Sequence, residues 1–190
     1  MTALPKPART AAHAPPVVFT VGHSTRSLGE FIALLKAHSV ASVIDVRTVP
    51  RSHHNPQFNR DELQVALEAA GIGYVHVAGL GGFRRTQAES VNMGWQNVSF
   101  RGFADYMQTA EFAENLAGLI DRATREQIAL MCAEAVPWRC HRSLIADALV
   151  VRSIRVEEII SGTRRQEHTL TPFAKVDGTI ITYPLQEPPP

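Results

Sequence analysis

The stretch from Gln127 to Arg142, QIALMCAEAVPWRCHR, constrains the chain more than any other. Ile128, Ala129, Leu130 and Met131 form an apolar run of strand length, the pattern of a strand buried on both faces. A loop carrying Cys132, Glu134, Pro137, Trp138 and Arg139 follows, and Cys140-His141-Arg142 opens the helical pattern SLIADALVV. Both cysteines of the chain lie at this one strand-to-helix junction. In open α/β sheets ligands bind at such junctions, because loops fan out beyond the strand C-termini and helix N-termini present unpaired N–H groups.

The rest of the chain alternates in the same way. A β-branched run, Val17 to Val21, ends in Gly22-His23-Ser24, and Ser27 with Glu30 makes a capping box for the helix LGEFIALLKAH. A second strand, Ser42 to Val46, leads into Arg47 and the loop TVPRSHHNPQFN. Asn59 or Arg60 should start the helix DELQVALEAAG, with Gly71 at its end, and Ile72 to Val77 is the third strand. From Ala78 to Arg101 the periodicity fails, and so long an irregular segment is expected to act as a lid. Helical spacing resumes over Phe103–Met107 and Glu111–Arg122; a helix from His141 to about Val151 precedes a last strand, Arg155 to Ile160. Strands alternating with helices predict a single α/β domain: a mostly parallel sheet with helices on both faces, Rossmann-like and three-layered, with a ligand site at the strand C-terminal edge. The expected boundaries are a disordered Ala/Pro-rich arm over 1–16, the domain over 17–175, and a C-terminal tail over 176–190. Within that tail, Val176 to Tyr183 could fold into a hairpin around Asp177-Gly178.

A chain of 190 residues fits one domain. Its formal net charge of +1 gives no global attraction to nucleic acid or anionic membrane, so any basic site must be local. No apolar run reaches the roughly 18 to 20 residues needed to span a bilayer. The first residues lack the apolar core of a secretory signal. Two cysteines make no disulfide framework, so the expected setting is cytoplasmic, with reduced thiols.

If the sheet is parallel, the strand ends bring His23, Ser24, Asp45, Arg47, Arg84, Cys132 and Glu134 to one edge. Cys132 is the nucleophile candidate, because Arg139, His141 and the following helix could lower its pKa. Cys140, near the start of that helix, is a second candidate thiol, and both cysteines could equally be buried packing. His23, Asp45 and Glu134 could move protons; the two acids could instead brace arginines. Arginines at strand-end loops and helix starts (Arg47, Arg51, Arg60, Arg84, Arg85, Arg142) suit an anion, and aromatics beside them suit bases. Ser24, Arg47, Arg84, Cys140, His141 and Arg142 are the expected anion-binding set. The spacing from Cys132 to Arg139 does not fit the loop of cysteine phosphatases, and Pro137 removes a backbone donor. None of the short spacings of zinc sites occurs, so neither metal nor cofactor is assigned.

Together, VGHSTRSLGEFIALL, IDVRTVPRSHHNPQFNRDELQVAL, GIGYVHVAGLGGFR and ALMCAEAVPWRCHRSLIADAL resemble the DUF488 family of bacterial and archaeal α/β proteins, over about Val17 to Ile160. The resemblance implies a compact α/β domain with signature residues Gly22, His23, Ser24, Asp45, Arg47, Pro50, Gly81, Gly82, Cys132, Glu134, Cys140, His141 and Arg142. It implies no particular reaction. The leading expectation is an enzyme with an anion pocket for phosphate, nucleotide or nucleic acid and a cysteine-dependent mechanism. A non-catalytic nucleotide or nucleic-acid binding module with structural cysteines is the alternative. A metal-dependent hydrolase using Cys140, His141 and His23 is the third.

Overall fold

The computed structural model describes residues 16–186. Five strands run parallel: β1 (Val17–Gly22), β2 (Ser42–Asp45), β3 (Gly73–His76), β4 (Ile128–Cys132) and β5 (Arg155–Ile159). A sixth, β6 (Arg165–Glu167), pairs antiparallel with β5, giving the order β3-β2-β4-β1-β5-β6. Helices α1 (Leu28–Ala37) and α2 (Arg60–Ala69) follow β1 and β2; α3 (Val98–Tyr106) and α4 (Ala110–Ala123) follow β3; α5 (Arg142–Val150) follows β4. A separate hairpin joins β7 (Lys175–Asp177) to β8 (Ile180–Thr182).

Side-chain alternation along β4 divides the core. Ala129 and Met131 join Phe31, Leu35, Leu63 and Leu67 from α1 and α2 on one face. Ile128, Leu130 and Cys132 join Phe103, Leu116, Leu119, Leu144 and Leu149 from α3, α4 and α5 on the other. The period of two thus points Cys132 toward α5 and α3. Chain direction supplies the rest. Connections after β1 and β2 lead toward the β3 edge, and those after β3 and β4 lead back. Neighbouring β2 and β4 therefore send their loops to opposite sides, which opens a crevice between their C-terminal ends.

Local chemistry sets the element ends. Ser27 accepts from the Glu30 N–H while the Glu30 carboxylate takes the Ser27 N–H, the expected capping box. Gly71, just past α2, adopts φ +78°, a conformation open to glycine at little cost. The irregular stretch is shorter than expected: Asn97 caps α3 with its side chain, so helix starts at Val98 inside the segment expected to be loop. Among the described residues no helix is long and apolar enough to cross a membrane.

The tail expectation is corrected. The hairpin forms, and it packs: Ile181 and Tyr183 are buried among the residues of α3 and α5. The Tyr183 hydroxyl donates to the buried carboxylate of Asp147 on α5, which also accepts from His168 and the Thr171 N–H. Nearly all of the 1–16 arm, and the last residues of the tail, lie outside the described residues.

Candidate active site

The β1 and β4 ends are joined beyond the sheet. His23 and Ser24 donate backbone N–H groups to the carbonyls of Cys132 and Ala133. A Cβ on Gly22 would collide with the Glu134 carbonyl oxygen, so only glycine lets the β4–α5 loop pass this close. Arg142, fully buried at the start of α5, holds the loop from the other side. Its guanidinium donates to the Glu134 carbonyl at 2.6 Å, to the Ala135 carbonyl at 3.2 Å and to Thr20 Oγ1 at 3.3 Å.

That loop and the one after β2 enclose a cavity of about 400 Å³, lined by Arg47, Arg51, Cys132, Glu134, Arg139 and His141 among others. Cys140 also lines it, and both cysteines are unpaired and buried. The two Sγ atoms and a His141 ring nitrogen all lie within 4.8 Å of one another. His141 Nε2 is 3.0 Å from both the Val46 and the Leu80 carbonyl oxygens. Carbonyls only accept, so Nε2 carries a hydrogen, and Nδ1 is the nitrogen that faces Cys140 Sγ, 3.8 Å away. Gly82 makes room for the ring: a Cβ there would come within 2.5 Å of Nδ1.

The thiols divide their roles. A hydrogen bond from Cys140 holds Cys132 well below the usual thiol range against the opposing effect of burial, and His141 and Arg142 assist. Cys140, as donor to Cys132 and itself buried, is pushed well above that range. A thiolate at Cys132 beside a protonated Cys140 is the form this arrangement favours.

The other expected residues fall into two groups. Asp45 and His23 stand behind Arg47 rather than in the cavity. Asp45, fully buried, takes Arg47 Nε and Nη2 at 2.9 and 2.6 Å, the Tyr74 hydroxyl at 2.7 Å and the Arg47 N–H at 3.1 Å. Its oxygens are filled by donors, which suits bracing and leaves little room for a general base. Burial lowers the His23 pKa; its Nδ1 bonds the Ser24 carbonyl, its Nε2 faces Arg47 Nη1 at 3.5 Å, and its ring stacks on Phe58. Arg84 and Ser24 are committed elsewhere. Arg84 lies over the Tyr106 ring and donates to the carbonyls of Ala78, Gly79 and Gly81. Ser24 turns the chain at φ 51° toward α1. Exposed Glu134 lines the cavity between the β4 end and Arg139.

Exposed Arg51 and Arg139 supply cationic rim where Arg84 and Arg142 were expected to. Their signal in the sequence was position alone: each follows a proline-containing loop just past a strand end. The irregular segment borders the cavity at both ends, through Gly82 and Phe83 and through Ser99 and Phe100. Its middle is tied to Asp105, which accepts from Gln87, Ser90 and Asn92. His23 stands apart from the Cys132, Cys140 and His141 cluster, the group among the described residues able to hold a metal ion.

A domain of unknown function, DUF488, matches residues 27–149, well over half of the chain. The chain belongs to the DUF488 family. No curated protein and no solved structure matches it. Within this DUF488 domain the match takes in both cavity loops, with Arg47, Cys132, Cys140 and His141.

Proposed function

We propose that this DUF488 protein is an enzyme in which the Cys132 thiolate attacks a small anionic substrate held in the arginine-rimmed cavity. The carrying observation is the cluster of Cys132, Cys140 and His141 on the cavity wall, with His141 Nδ1 turned toward the thiols. Arg51 and Arg139 would meet the substrate's phosphate or carboxylate, and Arg47, paired with Asp45, would brace the floor of the cavity. Cys132 would form a covalent bond to the electrophilic centre as the bond from that centre to the leaving group breaks, and the proton of the adjacent Cys140 thiol would pass to the departing group. A reducing compartment such as the cytoplasm suits two adjacent unpaired thiols.

The test is the alkylation rate of each cysteine against pH, read by mass spectrometry after digestion. Cys132 is expected to react at its full rate well below the pH of about 8.5 at which a free thiol titrates. Cys140 should lag, and orthophosphate should protect Cys132. If neither cysteine reacts until the chain is denatured, both are packing and the thiol reading falls.

A second reading has one observation in its favour. The same two sulfurs and ring nitrogen would suit a thiophilic cation such as zinc, with the cavity open at a fourth position. Metal analysis of the purified chain decides it. About one zinc per chain, lost in Cys140→Ser, would replace the nucleophile reading.

A further inference from the structure

Cys132 and Cys140 are the two cysteines of the chain, and the fold brings them together from different elements. Cys132 ends β4, whereas Cys140 follows the turn Pro137–Arg139 and precedes α5. Their sulfurs lie within 4.8 Å of each other, unpaired, in the wall of one cavity. A disulfide needs the two sulfurs at about 2.05 Å, an approach that side-chain rotation begins. The connection between them is held unequally. Carbonyls of Cys132 and Ala133 accept from His23 and Ser24, and those of Glu134 and Ala135 accept from Arg142. The turn that follows closes on itself, with the Arg139 N–H on Val136 and the Cys140 N–H on Pro137. Closure of the sulfur pair therefore falls on the Cys140 side chain and the turn before it.

A second thiol so near the first does more for one class of electrophile than for the others. In acyl or phosphoryl transfer Cys140 gives a proton to the leaving group and has no further part. When the atom attacked is sulfur, the same thiol, once deprotonated, displaces the fragment bound to Cys132 and completes a two-electron reduction. The cavity mouth fits a substrate of matching character. Arg51 and Arg139 are exposed cations, and beside them Val49 and Phe83 line the same cavity at 57% and 79% exposure. Carboxylates suit the guanidinium groups, and a short carbon skeleton suits the apolar pair.

From this juxtaposition we infer that the cavity is a dithiol centre that reduces a small disulfide bearing carboxylates, with Cys140 as the resolving thiol. The inference rests on the reading of Cys132 as nucleophile and names its substrate class. Cys132, as thiolate, attacks one sulfur of the substrate; a mixed disulfide forms, the substrate S–S bond breaks, and the departing thiolate takes the Cys140 proton. The Cys140 thiolate then attacks Cys132 Sγ. The Cys132–Cys140 bond forms, the mixed disulfide breaks, and the second thiolate leaves and takes a proton from water. The substrate disulfide is reduced to two thiols and the cysteine pair is oxidised by the same two electrons. A different thiol, by the exchange run in reverse, restores the pair.

With two cysteines in the chain, thiol stoichiometry is unambiguous. The full-length protein, reduced and then freed of reductant under argon, is mixed with excess dithiodipropionate, a dianionic disulfide, or with bis-hydroxyethyl disulfide, a neutral one. Thiol release is followed with time, and the digested protein is read by mass spectrometry. Each chain is expected to release two thiols and to yield a peptide pair joined through Cys132 and Cys140. Cys140→Ser should stop at the mixed disulfide on Cys132 with one thiol released, and Cys132→Ser should lose the reaction. Taken relative to free cysteine, the dianion should react at least about tenfold faster than the neutral disulfide, as one charge-assisted contact implies. Arg139→Ala, an exposed change that spares the core, should erase most of that preference. A mixed disulfide that persists on Cys132 of the parent chain, or equal relative rates for the two disulfides, overturns the inference. Rapid Cys132 alkylation below the ordinary thiol range in that same protein would leave the nucleophile reading standing. Cysteines inert both to the disulfides and to alkylation would sink the two together.

Discussion

Asp45 and Arg47 show how one pair of residues can read as chemistry in a sequence and act as scaffolding in a fold. An acid at a strand end with an arginine two positions on suits a general base or an anion clamp equally well. In the structure the carboxylate is enclosed, with Arg47 and Tyr74 on its oxygens. Tyr74 answers to the same enclosure: burial, and then the Asp45 charge, raises its pKa. Both members of the ion pair are nearly inaccessible, at 6% and 0% exposure. Removing one charge from such a pair strands the other in a medium that solvates it poorly. Asp45→Asn is therefore expected to destabilise the fold by about 3–5 kcal/mol. Tyr74→Phe, which deletes a single hydrogen bond to the carboxylate, should lose about 1.5–3 kcal/mol. Urea denaturation of the two variants checks the order. An Asp45→Asn protein of native stability that lacks activity would instead make Asp45 catalytic.

The β4–α5 connection shows what an element's sequence discloses about its surroundings. Its position was legible, because an apolar run, a proline-containing loop and a helical pattern follow one another with both cysteines inside. The strand order that brings β1 and β2 to either side of it was not, since parallel pairing at a distance leaves no local mark. Nor was the division of labour among arginines. Arg142 and Arg139 are three residues apart in one loop-to-helix passage, yet one is fully buried on carbonyls and the other exposed at the cavity. Gly22 offers the sharper test of how tightly this element is held. Its missing Cβ is required by a backbone oxygen, which a rotamer change cannot move aside. Gly22→Ala is expected to destabilise by about 1–3 kcal/mol and to slow Cys132 alkylation by displacing residues 133–135. Gly29→Ala, in α1 with nothing near its added Cβ, should gain up to about 1 kcal/mol and leave the thiol rate unchanged. Thermal melts and alkylation rates of the two variants give the comparison. Equal behaviour would mean that the loop is not fixed by its approach to β1.

At the scale of the molecule, the domain reaches further along the chain than hydrophobic patterning implied. Alternation of apolar runs and helices suffices for a parallel α/β sheet, because each buried strand must be covered on both faces. Past Ile159 that logic has nothing to act on. β6 is Arg-Gln-Glu, exposed throughout, and β7 is exposed as well. What anchors the segment is isolated side chains: Tyr183 on Asp147, Gln108 on the Ile181 carbonyl, and the Gly94 N–H on the Tyr183 carbonyl. Single anchors have no periodicity, so a reading based on periodicity sees a tail. The same anchors tie the C-terminal segment to the irregular stretch that borders the cavity, since Trp95 packs against Tyr183 and Phe173. Loss of Tyr183 should therefore be felt as a core mutation. Tyr183→Ala removes a fully buried ring and leaves Asp147 one donor short, for an expected loss of about 3–5 kcal/mol. Hydrogen exchange should then rise together over residues 92–97 and 175–183, where the ring and its backbone partners meet. A variant as stable as the parent, with exchange raised only past residue 175, would mean that the segment is an appendage after all.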